Sequence, residues 1–117
     1  MSEAIIDLKD LMERVQDDKE LVLELLDIYQ EDFIVKRKAL GEAITANDLV
    51  KVKEIAHSMK GASGNISAKT LHATCLQLET LAKTGTTNGM ADLLPTIDTM
   101  FSAIQQYAVE LKKEFGG

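Results

Sequence analysis

The stretch AHSMKGASGN, residues 56–65, places one of the chain's two histidines beside a lysine and two glycines. In a helix, Lys60, Gly61 and Gly64 follow His57 by three, four and seven residues and therefore lie on its face. Glycine costs about 1 kcal/mol in a helix interior relative to alanine. Two glycines on one face therefore indicate a function other than helix stability. We interpret them as clearance for a molecule that approaches His57.

Apolar spacing predicts that this stretch belongs to a helix capped by Asn47 or Asp48. The helix ends in a turn at residues 64–67, where Ser67 is placed to cap the next helix. His57 and Lys60 fall on a polar stripe, so we expect His57 to be at least partly exposed. The core stripe of this helix consists of Leu49, Val52, Ala56 and Met59.

Periodicity predicts two helices before this one and two after it. Asp17 and Glu20 resemble a capping box that opens the second helix, and Pro95 lies either in the first turn of the last helix or at a kink. A loop rich in Gly, Thr and Asn at residues 84–89 separates the fourth and last helices. The apolar stripes are Ile5, Leu8, Leu11, Met12 and Val15 in the first helix; Val22, Leu25, Leu26, Tyr29, Phe33, Leu40, Ala43 and Ile44 in the second; Ala68, Leu71, Cys75, Leu78 and Ala82 in the fourth; and Met90, Leu93, Leu94, Ile97, Phe101, Ile104, Ala108, Leu111 and Phe115 in the last.

Composition favours an all-α fold. The 117 residues are 45% hydrophobic, with no Trp and one Pro, which suits helix packing by aliphatic side chains. Four long amphipathic helices with short connections predict an antiparallel up-and-down four-helix bundle, with the short N-terminal helix at one end. We expect a single domain over residues 1–117.

Charge and hydropathy exclude several classes of partner. The formal net charge is -6, which argues against nucleic acid and anionic membranes and favours protein partners. No apolar run approaches the ~18 residues of a membrane span, and residues 1–4 do not begin an export signal. We therefore expect a cytoplasmic protein, in which the lone Cys75 is a core residue.

His57 has the surroundings of a phosphoryl acceptor. A neutral imidazole is a nitrogen nucleophile near neutral pH, and a phosphoryl group on it brings close to two negative charges. Lys60 is placed to offset them as a mobile point charge. His72 lacks such companions and is expected on the flank of the fourth helix.

The chain resembles the histidine-containing phosphotransfer (HPt) domain family over nearly its whole length. The family has Leu and Gly where this chain has Met59 and Ser67, and a helix-capping serine replaces that glycine only where the backbone φ is negative. Residues that match the family's motif are Ala56, His57, Lys60, Gly61, Ser63, Asn65, Ala68, Leu71, Leu78 and Glu79, with Leu11, Arg14, Val15, Asp18, Leu21, Phe33, Leu40, Ala43 and Asp48 upstream.

The resemblance implies a phosphorelay intermediate in two-component signalling. His57 Nε2 would take a phosphoryl group from a receiver-domain aspartate and pass it to another, Glu79 would accept a hydrogen bond from Nδ1, and Lys83 would add positive potential. Periodicity alone does not separate Glu79 from Cys75 or Leu76 in that role. Mg²⁺ is expected on the receiver, and we predict no cofactor or metal on this chain. We also predict a monomer that has no kinase activity of its own.

Two other classes of function compete with the relay. One is a helical adaptor that binds receiver or kinase domains through the same face without being phosphorylated. The other is a metal site formed by His57, His72, Cys75 and Glu79. The paired Glu-x-x-His motifs of helix-bundle metal sites are missing from the sequence, which disfavours the metal site.

Overall fold

The computed structural model describes residues 5–116, which form five helices and no strand. This confirms the all-α prediction. Residues 1–4 and 117, which the predicted domain and the export argument include, lie outside the described residues. The helices are α1 (Leu8–Arg14), α2 (Lys19–Thr45), α3 (Leu49–Asn65), α4 (Lys69–Lys83) and α5 (Met90–Gly116).

An aspartate begins each of the first three helices. The Asp7, Asp18 and Asp48 side chains accept hydrogen bonds from backbone N–H groups three residues on. Asp48 rather than Asn47 is therefore the cap of α3. The prediction that Asp17 caps α2 is wrong by one residue, because Asp17 has a φ of 64° in the left-handed turn between the helices and a cap residue needs an extended backbone.

The turn between α3 and α4 differs from the predicted serine cap. Ser67 has a φ of 60°, its N–H donates to the Gly64 carbonyl, and the Ala68 N–H donates to the Ser63 carbonyl. This pattern is a Schellman ending, whose left-handed position is usually glycine. Ser67 thus ends α3 instead of capping α4, and Ala68 at the cap position provides no side-chain hydrogen bond.

Polar contacts hold α1 against this turn. The Asp7 N–H donates to the Ser67 carbonyl at 2.9 Å, and Ser67 Oγ donates to Asp10 Oδ2 at 2.6 Å. Lys69 Nζ lies 3.0 Å from Asp7 Oδ2. The N-terminal helix therefore covers the end of the molecule where α3 passes into α4.

The core lies between the apolar faces of the four long helices. α3 packs on α2 and α4, and α5 also packs on α2 and α4. The Phe33 and Phe101 rings stack with centroids 3.9 Å apart, which joins α2 to α5. Pro95 is the sixth residue of α5, inside the helix, so of the two predicted positions the first turn is excluded and the kink stays a prediction. No helix in the described part of the chain is long and apolar enough to cross a membrane.

Candidate functional site

His57 lies on the outer face of α3, directly after a buried residue. Ala56 and Met59 point into the core, which turns His57 outward, and its side chain is 67% exposed. This agrees with the polar stripe in the sequence. The ring is open to solvent and is tied to the protein through one edge.

That tie is Glu79 of α4. Leu78 and Ala82 lie on the buried face of α4. Glu79 lies beside them, is only 6% exposed, and directs its carboxylate toward α3. His57 Nδ1 lies 3.0 Å from Glu79 Oε2. Because an ionised carboxylate only accepts hydrogen bonds, Nδ1 carries the proton, and the lone pair of a neutral ring is on Nε2.

Two lysines neutralise the buried carboxylate. Lys60 Nζ lies 2.8 Å from Oε1 and is itself mostly covered, whereas Lys83 Nζ lies 3.9 Å from Oε2 and is exposed. Among the described residues, Oε1 is fully buried and takes no hydrogen bond of regular geometry. The ion pair with Lys60 is therefore its main compensation.

The charge state of Glu79 follows from these neighbours. The Lys60 ammonium, and after it the His57 ring, lower the pKa of Glu79 against the opposing effect of burial. The carboxylate stays ionised well below neutral pH. With two ammonium groups around one carboxylate, the region is positive while the ring is neutral, which suits a dianionic group on Nε2.

Gly61 and Gly64 have different surroundings. A Cβ at Gly61 would meet nothing within 4 Å, so the face beside His57 is open, and the role of Gly61 in docking stays a prediction. A Cβ at Gly64 would lie 3.2 Å from His72 Nδ1. Gly64 therefore makes room for a side chain of this chain, which favours a packing role, and its role as clearance for a partner stays a prediction.

His72 is the residue that sequence reasoning undervalued. It is half-buried, and its Nδ1 lies 2.9 Å from the backbone carbonyl of Lys60. Residue 57 of α3 lies beside residue 79 of α4. Seven residues forward in α3 and seven residues back in α4, residue 64 lies beside residue 72. Gly64 leaves the space that the His72 ring occupies.

The four residues of the alternative metal site do not converge. His57 meets Glu79, but His72 Nδ1 contacts the Lys60 carbonyl. Cys75 is buried, and burial raises the pKa of its thiol to about 11, partly opposed by a hydrogen bond with Ser63. Within residues 5–116, no three His, Cys, Asp or Glu side chains are close enough to hold a metal ion.

Comparisons with known proteins agree with this arrangement. The chain is similar to the crystal structure of histidine-containing phosphotransfer protein B (HptB) from Pseudomonas aeruginosa PAO1, with a TM-score of 0.89 and 24% identity over 97% of this chain and 99% of that one. At this identity the likeness shows the fold. No curated protein matches the sequence.

The family is shown by the sequence itself. The model of the Hpt domain matches residues 24–107, which include α3 and α4 with His57, Lys60, Gly61 and Glu79. The match covers more than half of the chain. The protein therefore belongs to the Hpt domain family, the histidine-containing phosphotransfer domains of two-component signalling.

Proposed function

We propose that this chain carries a phosphoryl group on His57 Nε2 between the aspartates of receiver domains. The observation that supports this most strongly is the 3.0 Å contact between His57 Nδ1 and the buried Glu79 carboxylate. It fixes the ring through one nitrogen and directs the other to solvent, where a partner's reactive group has access.

The transfer step follows from this geometry. The Nε2 lone pair attacks the phosphorus of a receiver's aspartyl phosphate, and a P–N bond forms. The P–O bond to the aspartate breaks, and its electron pair stays on the carboxylate. The ring becomes an imidazolium that keeps its Nδ1 proton, and Glu79 stabilises the new positive charge. In the second transfer a carboxylate oxygen of the acceptor aspartate attacks the phosphorus, a P–O bond forms, and the electron pair of the breaking P–N bond returns to Nε2.

The neighbouring residues divide the remaining work. Lys60 and Lys83 offset the charge of the phosphoryl group, and Gly61 leaves space for the receiver surface. The receiver supplies the aspartate and its Mg²⁺. The chain provides an oriented nucleophile, and we propose a carrier that has no kinase activity of its own.

We propose that residues 1–117 form one domain, an antiparallel up-and-down bundle of α2 to α5 with α1 at one end. The closed ring of contacts from α2 through α3, α4 and α5 back to α2 supports this arrangement. A monomer presents His57 to one receiver at a time. We place the protein in the cytoplasm, as the sequence predicts.

Phosphotransfer with labelled phosphate tests the proposal. A phosphorylated receiver is incubated with the wild-type chain, with His57→Gln and with His72→Gln, which removes the other histidine. We expect acid-labile, base-stable label on the wild type and on His72→Gln, at one phosphate per chain, and none on His57→Gln. Binding of the receiver without any label on the wild type would instead favour the unphosphorylated adaptor.

A further inference from the structure

We propose that His72 is a positioning residue for Lys60, acting through the backbone of that lysine. The inference deepens the proposed function, because Lys60 is the cation that would stand beside the phosphoryl group on His57. It rests on a contact of His72, which has no role in the proposed relay.

The contact has a defined direction. His72 Nδ1 lies 2.9 Å from the Lys60 carbonyl oxygen, and a carbonyl only accepts hydrogen bonds, so Nδ1 carries the proton. The ring occupies the space that Gly64 leaves, where a Cβ would be 3.2 Å from the same nitrogen. The glycine and the histidine therefore form one packing unit between α3 and α4.

Lys60 is thereby held to α4 at both of its ends. Its carbonyl accepts from His72 near the start of α4, and its ammonium lies 2.8 Å from Glu79 Oε1, two turns further along. A long lysine side chain has several rotamers of similar energy. Fixing the backbone of Lys60 relative to α4 restricts which of them reach the Glu79 carboxylate.

The first test uses the unphosphorylated chain and three variants. His72→Asn keeps a donor near the position of Nδ1, His72→Leu fills the space without a donor, and Gln77→Leu changes an exposed residue of the same helix as a control. ¹⁵N NMR follows hydrogen exchange at the Lys60 ammonium and the tautomer of His57.

We expect ammonium exchange to be faster in His72→Leu by about three- to tenfold, the effect of losing one hydrogen bond. His72→Asn should restore most of the protection, Gln77→Leu should match the wild type, and the His57 tautomer should be nearly the same in all four. Unchanged exchange in His72→Leu, or equal loss in His72→Leu and His72→Asn, would overturn the proposal.

The second test measures thermal unfolding midpoints in a cycle. Gly64→Ala should lower the midpoint in the wild type, because the new methyl group displaces the His72 ring. In the His72→Ala background the same change should raise the midpoint, because alanine favours the helix. Equal shifts of the midpoint in both backgrounds would show that the glycine and the ring are not coupled and would contradict the proposal.

Phosphoryl measurements separate this inference from the proposed function. Phospho-His57 should be shorter-lived in His72→Leu than in the wild type and in His72→Asn. If the wild type takes up no phosphoryl group, the proposed function fails, whereas the NMR experiment still decides whether His72 positions Lys60. Normal uptake together with equal phospho-His57 lifetimes in the wild type and His72→Leu would contradict the positioning role alone.

Discussion

Glu79 distinguishes His57 from an ordinary exposed histidine. A solvated imidazole has two nitrogens in similar surroundings, but the buried carboxylate gives Nδ1 a fixed acceptor and leaves Nε2 free. Lys60 and Lys83 reduce the cost of keeping that carboxylate charged below the surface. One residue thus contacts Nδ1 of the ring and has two cations beside it.

Replacing Glu79 with alanine should change the tautomer of His57. Without the carboxylate acceptor, the population with the proton on Nδ1 should fall in favour of the form with the proton on Nε2, which ¹⁵N-resolved NMR of the unphosphorylated chain distinguishes. Lys60→Ala is the control and should leave the tautomer nearly unchanged. Equal tautomer populations in Glu79→Ala and the wild type would refute the orienting role.

Glu79 should also make stability depend on pH. Its pKa is lower in the folded chain than in the unfolded one, so its contribution is complete above the unfolded pKa of ~4.3 and is lost as the pH falls through the folded value. The stability of the wild type relative to Glu79→Gln should therefore decrease below about pH 4.3. Urea midpoints of both proteins at several pH values measure this, and a constant difference would contradict the lowered pKa.

At the scale of elements, α3 presents two glycines for different reasons. The surroundings of Gly61 are open and those of Gly64 are filled by His72. Both glycines occupy one helical face, so their positions in the sequence cannot separate the two roles. The difference depends on α4, whose His72 fills the space at Gly64, whereas nothing lies within 4 Å of a Cβ at Gly61.

Gly61→Gln should separate stability from docking. Any residue other than proline has a higher helix propensity than glycine, by up to about 1 kcal/mol, and the space beyond the Cβ is empty, so the thermal midpoint should stay equal or rise. Transfer from a phosphorylated receiver should slow, because the new side chain stands beside His57. A lower midpoint that accounts for all of the lost transfer would indicate a packing role for Gly61.

Ser67 allows a direct test of the turn after α3. Ser67→Gly and Ser67→Ala both remove the hydroxyl that donates to Asp10, but only alanine keeps a Cβ at a φ of 60°. The glycine variant should be more stable by ~1 kcal/mol, the cost of a left-handed backbone for a residue with a side chain. Chemical denaturation of both variants measures the difference. Equal stabilities would show that this turn carries no strain.

At the scale of the whole molecule, the helices and the core follow from the sequence because apolar spacing is a local signal. Leu26, Leu40, Leu71, Leu78 and Ile104 were all placed on core stripes and are fully buried.

The contact of His72 with Lys60 joins residues on different helices, so no local pattern contains it. The α2 cap shifted from Asp17 to Asp18 because the preceding turn takes two residues at positive φ. Ser67 has positive φ in the Schellman ending of α3, and its hydroxyl donates to Asp10 of α1, far away in the sequence.

In the proposed function the whole molecule presents Nε2 of His57, and locating the phosphoryl group is the most direct test of that proposal. The chain is labelled with ¹⁵N-histidine and phosphorylated by a receiver, and ³¹P–¹⁵N coupling identifies the bonded nitrogen. We predict a single phosphoryl group on Nε2 of His57, with the proton retained on Nδ1. A phosphoryl group on Nδ1 of His57, or on either nitrogen of His72, would contradict the role of Glu79 and of the α3–α4 pairing that places it.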